Sequence, residues 1–349
     1  MSVPRYRWQP TTRDIARDLG IPESAIVRFD HNTSPYPPDW AAAPAAAAAR
    51  RLNEYPGANY LPLREAAARY VGVEPSNIAP GAGVDEIILL AARAFLGPSR
   101  RSVTSAPTYP LYRIAAAQVG AAHLEIPAAG PSFAQPVDAL VEAAADADVV
   151  WLCVPNNPTG ERLDLETVET IVNATAGVTI LDAAYAEIAG DRWTDLVAAH
   201  DDVLVCHTLS KGFGLAGARV GFGVGAEALV DTLDAVRPPG SIAEVSSVLA
   251  IDALDHPERM TANVHRLVTE RARLADALTG VGFTVLPSAA NFLLCHVGSA
   301  AGAIADHLFS RGLVVRRFPA DGPLADHLRF TVRSPGEDDR LLATLEEVL

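Results

Sequence analysis

Lysine is almost absent from this sequence. Of its 28 basic residues, 27 are arginine and one, Lys211, is lysine. A surface cation can be either residue at little cost, so a chain with this bias has replaced lysine wherever the chemistry allows. Arginine stays protonated, whereas an amine can lose its proton and attack a carbonyl. Lys211 is therefore either a leftover surface residue or a position that arginine cannot fill, and its neighbours must decide. Cysteine is scarce too. Cys153, Cys206 and Cys295 are odd in number and far apart, which argues against a disulfide framework and suits reduced thiols in a cytoplasmic protein. The opening MSVPRYRWQP has no signal-like apolar stretch, and no apolar run approaches the length of a membrane span. The net charge of −14 argues against nucleic acid or an anionic membrane as the main partner, and an anionic substrate would need local positive charge. The nine histidines are scattered and never fall at i, i+4, so no metal site is assigned.

What is present is an alternating pattern. The segment up to Pro38 is broken by prolines, Pro4, Pro10, Pro35, Pro37 and Pro38 among them, and reads as irregular. The alanine-rich Ala41–Leu52 reads as a helix interrupted at Pro44. Strands are expected at Ser102–Ala106, His123–Pro127, Asp148–Val154, Val178–Asp182, Val203–His207 and Val220–Val224. Helices are expected at Leu63–Tyr70, Asp85–Phe95, Tyr112–Val119 and Leu165–Ala174. The pattern predicts an α/β fold whose large domain is a mostly parallel sheet covered by helices on both faces, a class that binds ligands beyond the strands' carboxyl ends. Pro238-Pro239-Gly240 marks a boundary. A long helix near Glu258–Leu278, short strands near Phe283–Leu286, Asn291–His296, Leu313–Arg317 and Leu328–Val332, and a closing helix after Pro335 predict a smaller α+β domain. The expected division is an arm at 1–45 that joins the small domain, a large domain at 46–237 and the small domain at 238–349.

Four motifs carry chemistry. Thr208 to Phe222 (TLSKGFGLAGARVGF) follows an apolar strand and sets the only lysine between a hydroxyl, Ser210, and an arginine, Arg219. Those are the two group types that hold a phosphate, and the glycines let backbone amides approach a ligand. A glycine-rich turn packed on the sheet would not by itself explain the lysine. Ala79 to Ile88 (APGAGVDEII) leaves free amides at a helix start, which either binds phosphate or is an ordinary acidic first turn. In Val154 to Gly160 (VPNNPTG), Asn157 either belongs to a plain turn or donates to a phenolate-like oxygen. Asp182, after a fully apolar strand, needs a partner, and a pyridinium N–H or a helix cap would each serve.

Taken together in this order, Asn157, Asp182, Tyr185, Lys211 and Arg219 resemble the fold-type I pyridoxal-phosphate (PLP) enzymes. The nearer resemblance is to the histidinol-phosphate aminotransferase family. It is carried by Asn32-Thr33-Ser34-Pro35-Tyr36, Tyr55-Pro56, Leu63-Arg64, Gly81 to Glu86, Pro107 to Tyr112, Ala290-Asn291-Phe292, Gly312 to Arg316 and Leu328 to Arg333. The resemblance implies that Lys211 carries PLP as a Schiff base and shuttles the substrate Cα proton, and that Asp182 pairs with the pyridinium nitrogen. It implies that Asn157 and Tyr185 bond the ring's O3′ and that Tyr109 stacks on the ring. Ser210, Arg219 and the amides of Gly83, Val84 and Asp85 would hold the phosphate, with Tyr55 reaching it from the second subunit of a homodimer. Arg329 would grip a substrate carboxylate, while Arg316 and Tyr36 line the side-chain end and Asn32 joins the substrate site.

The sequence departs from the family at Ala82, Ala183, Thr33, Ser34 and Arg333, where asparagine, glutamate, glutamate, asparagine and glycine are usual. The first two leave the cofactor reading intact, and the last three lie near the substrate. The expected activity is ping-pong amino transfer between an L-amino donor such as glutamate and a phosphorylated or aromatic partner, with amino and keto acids as substrates. The alternatives on the same scaffold are an aromatic-amino-acid aminotransferase and a threonine-phosphate decarboxylase. A PLP-sensing regulatory module is a different class, but such modules carry a DNA-binding arm, and no helix-turn-helix pattern is seen here. His207 reads as a packed strand-end histidine, and Arg317 either joins Arg316 in an anion pocket or points to solvent.

Overall fold

The buried strand Val149–Cys153 shows why the sheet is covered twice. Along it, Val149, Trp151 and Cys153 face one apolar cluster, and Val150, Leu152 and Val154 face another. Side chains alternate across a strand, so a run that is apolar at every position must be covered on both faces. A computed structural model describes residues 5–6, 8–57 and 59–349 and shows how the covering is done. Helices Val84–Phe95, Leu111–Gln118 and Glu227–Ala235 bury Ile87, Ile114 and Leu233 on the Trp151 face. Helices Val137–Ala144, Leu165–Ala174 and Thr194–Ala199 bury Leu140, Ile171 and Leu196 on the other.

The sheet has seven strands, in the order Ile78–Gly81, Gly221–Val224, Val203–Thr208, Val178–Asp182, Val149–Cys153, Arg101–Ala106 and Ala122–Pro127. The last five are mutually parallel, and Gly221–Val224 runs antiparallel to both its neighbours. Ile78–Gly81 was not expected from the sequence, because a strand that includes Pro80 and Gly81 has poor strand chemistry. The α/β reading holds, and the carboxyl ends of the parallel strands converge on the loops that carry Tyr109, Asn157, Asp182 and Lys211.

The second sheet is antiparallel, in the order Arg316–Arg317, His327–Thr331, Phe292–His296 and Thr284–Val285. Helices Pro257–Gly280, Ala301–Ser310 and Pro335–Glu346 cover it around Leu274, Ile304, Leu341, Phe292 and Phe330. The arm joins this unit: Val27–Arg28 pairs in parallel with Leu313–Val314, and Phe29 lies in its core. Packing of the large unit runs past Pro238. Helix Glu244–Asp255 buries Ala250, Ala253 and Leu254 against Leu63, Ile78 and Phe222.

Two local readings need correction. The segment before Pro38 contains helix Thr12–Leu19, which Thr11 caps by accepting from the Asp14 amide and Gly20 ends in a left-handed conformation. Pro44 does not interrupt its helix. It is the third residue of Ala42–Ala49, within the first turn, where the missing N–H has no intrahelical acceptor to lose. Among the described residues, no helix is long and apolar enough to cross a membrane.

Trp151 is fully buried at the centre of the large sheet and stacks on Tyr112 with ring centroids 5.4 Å apart. Trp151→Ala should lower unfolding stability by about 3–5 kcal/mol, read as a lower midpoint in urea unfolding.

Candidate active site

Gly83 decides the geometry of one end of the site. It is the residue before helix Val84–Phe95, has φ +81°, and a Cβ there would stand 2.7 Å from Arg219 Nη2. Only glycine gives both the backbone turn and the room for the guanidinium. Gly221 supplies room alone beneath it, since a Cβ there would meet the His207 carbonyl at 2.7 Å and the Val84 amide at 2.9 Å. The helix start, the lysine loop and Arg219 are thereby pressed together. Arg219 reaches the buried Ser210 hydroxyl at 3.4 Å and the Asp85 carboxylate at 3.0 Å, and Asp85 also accepts from Tyr109 Oη at 2.9 Å. A hydroxyl, a guanidinium and uncapped helix-start amides make an anion cradle.

At the other end Asp182 lies on the last turn of its strand and is almost fully buried. Its Oδ2 accepts from Tyr112 Oη at 2.6 Å and its Oδ1 from the Ala184 amide at 3.1 Å. Burial outweighs both bonds and raises its carboxyl to about 6. In the helix that follows, Ala186–Ala189, Tyr185 holds the N-cap position and no side chain makes a capping bond, so Asp182 is not that helix's cap. Tyr185 Oη accepts from Asn32 Nδ2 at 3.0 Å and keeps its own proton to donate. Asn157 Oδ1 accepts from Arg329, which leaves its amide nitrogen to donate.

Lys211 is half-buried between these groups, with Nζ 5.8 Å from the centre of the Tyr185 ring. Loss of water around the amine, followed by the nearby Arg329 charge, lowers it to about 8. Arg329 is buried. Its Nη2 donates to the Asp30 carbonyl at 2.7 Å, its face lies 5.0 Å from the Phe292 ring, and its Nε has no partner among the described residues. Burial lowers its own pKa to about 10. An amine for an aldehyde, a buried carboxylate for a ring nitrogen, two donors for a phenolate and a cradle for a phosphate together fit pyridoxal phosphate.

The family model for class I and II aminotransferases matches residues 24–345. This chain belongs to that family. It is 38% identical over 346 residues to the histidinol-phosphate aminotransferase of Roseiflexus castenholzii, with 96% of this chain and 92% of that protein covered. The crystal structure of histidinol-phosphate aminotransferase from Sinorhizobium meliloti, in complex with pyridoxal-5'-phosphate, superposes with a TM-score of 0.89 at 27% identity, covering 98% of this chain and 95% of that one. The L-threonine-O-3-phosphate decarboxylase of Porphyromonas gingivalis superposes with a TM-score of 0.80 at 21% identity, covering 92% and 98%, which is a likeness of fold alone.

Most of the expected residues of this aminotransferase meet at one place. Arg316 is half-buried, stands opposite Arg329 in strand register, and has no hydrogen-bond or ion-pair partner among the described residues. Tyr36 is half-buried with the Arg266 guanidinium 5.1 Å from its ring centre. Asn32 is buried at φ +52°, where its amide donates to Thr331 Oγ1 at 3.0 Å. Tyr55 stands apart, 97% exposed. Arg317 is tied to Asp306 at the surface, and His207 bonds Glu187 at 3.1 Å and stacks on Phe222. Of the departures, Arg333 donates to the Thr33 carbonyl at 3.2 Å and pairs with Glu337, so it braces the substrate segment. Sequence reasoning missed Tyr112 and Tyr6. Tyr112 was read as part of a helix and of the Pro107–Tyr112 motif but given no role, and Tyr6, 6.4 Å from Tyr109 between ring centres, lies in an arm read as irregular.

An amine near 8 fixes a pH profile. Lys211 attacks only when neutral, so covalent capture of pyridoxal phosphate by the apoprotein should accelerate as pH rises through about 8 and level off above it. Well below that point the rate should fall roughly tenfold per pH unit. Stopped-flow absorbance checks this, and a flat rate from pH 6.5 to 9.5 would contradict it.

Proposed function

We propose that this protein is a PLP-dependent aminotransferase acting on histidinol phosphate, with glutamate and its keto acid as the second substrate pair. The observation that carries this reading is the buried Arg329 guanidinium, whose Nε has no partner among the described residues, beside the lone amine Lys211 and opposite Arg316 in strand register. Both partners bring anions to the reacting carbon: glutamate has two carboxylates, and histidinol phosphate has a phosphate one carbon from its amine-bearing carbon. Two arginines in a protein of net charge −14 supply the local positive charge that such substrates need.

The cofactor is pyridoxal phosphate, covalently held by Lys211. Bound there, it supplies an electron sink for the bond that breaks at the substrate Cα. Lys211 Nζ would move the proton at the substrate Cα, for which an amine near 8 is well matched to neutral pH. Asp182 holds the proton on the ring nitrogen. Asn157 Nδ2 and Tyr185 Oη donate to O3′, and Tyr109 lies against the ring. Ser210, Arg219 and the amides of Gly83, Val84 and Asp85 hold the phosphate. Arg329 orients the substrate anion, and Arg316, Tyr36 and Asn32 line the remainder.

The working unit is a homodimer with shared sites. The support is Tyr55, 97% exposed, with two more exposed apolar side chains a few residues away along the chain, Leu52 at 61% and Leu61 at 45%. Large apolar side chains grouped this way favour an interface. The protein is cytoplasmic, in keeping with three buried, unpaired thiols that burial keeps protonated.

The decisive assay supplies histidinol phosphate and 2-oxoglutarate and measures glutamate. Turnover should exceed that with phenylalanine or tyrosine by at least about tenfold in kcat/KM, a preference worth roughly 1.4 kcal/mol. A preference for aromatic amino acids, or carbon dioxide released from threonine phosphate, would replace this reading with one of the rival activities. Sharing is tested by co-expressing Lys211→Ala with Tyr55→Ala. If Tyr55 serves the partner's site, the mixed dimer has one site with both residues intact and should regain up to about half of wild-type activity. If Tyr55 serves its own subunit, nothing returns, provided Tyr55→Ala is clearly impaired alone.

A further inference from the structure

Strand His327–Thr331 is read differently on its two faces. Leu328 and Phe330 point into the core of the small unit. The alternate residues meet groups outside that core: His327 packs on Phe133 of the large unit, Arg329 donates to Asn157 of the large unit, and Thr331 bonds the Phe29 carbonyl and Asn32 of the arm. Two of these three contacts belong to the site already described. The third does not, because Phe133 lies in a hairpin far along the chain from every residue assigned a role.

That hairpin is built to hold a ring in place. Ala129 and Ala134 bridge each other with hydrogen bonds of 2.8 and 3.0 Å, and Phe133 takes φ +54°, a left-handed backbone that a bulky residue adopts only under constraint. Its base is tied to the large sheet. The Gln135 amide donates to both oxygens of Glu161, at 3.0 and 3.1 Å, and Ser105 donates to the Gln135 side chain at 3.1 Å. Its tip reaches the small unit, where Phe133 packs with Leu286, Leu294 and Leu324 and stands edge-on to His327 at 5.3 Å. Leu294 is the cross-strand partner of Arg329. Close by, the Ala289 amide donates to the Gly160 carbonyl at 2.8 Å, a second tie across the same seam.

We propose that Phe133 is a positioning residue: by clasping the small unit at His327 and Leu294 it sets the register of Arg329 against Asn157, two residues along the same strand. The inference rests on Arg329 taking the substrate anion, as proposed above. A guanidinium must sit within a few tenths of an ångström to bond a carboxylate with two parallel hydrogen bonds, and a strand is a stiff enough rod to carry a constraint from residue 327 to 329. Removing the clasp leaves the small unit free to shift on the large one, so Arg329 meets its anion in fewer of the available arrangements. Affinity falls by that fraction, and Lys211 and the cofactor cradle, all on the large unit, are undisturbed.

The test uses the holoenzyme. Phe133→Ala should raise the KM for glutamate and the inhibition constant of maleate, an unreactive dicarboxylate, by about tenfold, the scale of one coupled contact. Over the same comparison kcat should change by less than about twofold and cofactor absorbance and retention should stay as in wild type. Phe133→Gly separates ring from backbone: it relieves the positive φ, so it should be at least as heat-stable as Phe133→Ala and yet bind maleate just as weakly. Phe133→Leu, which refills the apolar seat, should recover most of the affinity. In an Arg329→Ala background, Phe133→Ala should add nothing further to maleate binding. Wild-type maleate affinity in Phe133→Ala and Phe133→Gly, or a full additional loss in the Arg329→Ala background, overturns the clasp while leaving Arg329's own role intact. Unchanged maleate binding in Arg329→Ala alone overturns the anion-binding role of Arg329 and the clasp with it.

Discussion

Keeping one amine short of water is the constraint on which the rest of this site depends. An exposed lysine stays protonated at neutral pH. Lys211 comes down to about 8 because it sits at the end of a buried strand with little water and with Arg329 nearby. That arrangement has a cost, since Asp182 and Arg329 are taken out of water as well. Asp182 is satisfied by Tyr112 and Ala184, and Arg329 by Asn157 and the Asp30 carbonyl. Among the described residues nothing meets the Arg329 Nε, which leaves a buried donor for an incoming anion. The fold contributes the rigidity that holds these charges close together: Asp182 ends a strand, Lys211 sits on a loop that begins at one, and Arg329 lies mid-strand.

The arm is the second structural necessity. Residues 27–36 run between the two units and bond to both. Val27 pairs beside Leu313, Asn32 bonds Tyr185 and Thr331, and the Asn291 amide donates to the Asn32 carbonyl at 3.0 Å. Further on, Ser34 donates to Asn263, which itself donates to the Gly212 carbonyl next to the lysine at 2.6 Å. Thr33 and Ser34 depart from the usual acidic and amide residues of the family, yet both are engaged, Thr33 through Arg333 and Ser34 through Asn263. An arginine at 333 in place of glycine is thus matched by a partner on the arm and by Glu337.

Much of this was legible in the sequence because the signals were chemical or periodic. The unbroken apolar run at 149–154 could only be a doubly covered strand, and a lone lysine between Ser210 and Arg219 has few other uses. Strand Ile78–Gly81 was hidden by Pro80 and Gly81, which strands seldom carry, and its place at a sheet edge explains why they are tolerated there. Helix Thr12–Leu19 was obscured by the surrounding prolines although its cap, Thr11, and its stop, Gly20, are both in the sequence. Helix Glu244–Asp255 carries too little amphipathic contrast to show which unit it would join. Tyr112 was out of reach for another reason: its bond to Asp182 spans 70 residues and exists only once two layers are stacked.

The choice of arginine over lysine has a structural reading as well as a chemical one. Buried or half-buried arginines do more here than balance charge. Arg28 grips Asp30 with two bonds of 2.8 Å, and Arg64 bonds two carbonyls as well as Asp234. Arg340 bonds two carbonyls, one on either side of the arm's junction with Leu313. A planar fork of five donors can satisfy several buried acceptors at once, which a single ammonium cannot. Replacing such residues with lysine would leave carbonyls unpaired, and replacing Lys211 with arginine would leave the site without an amine that can lose its proton. The same property, a cation that never deprotonates, makes arginine suitable everywhere in this chain except at the one position where the proton must come off.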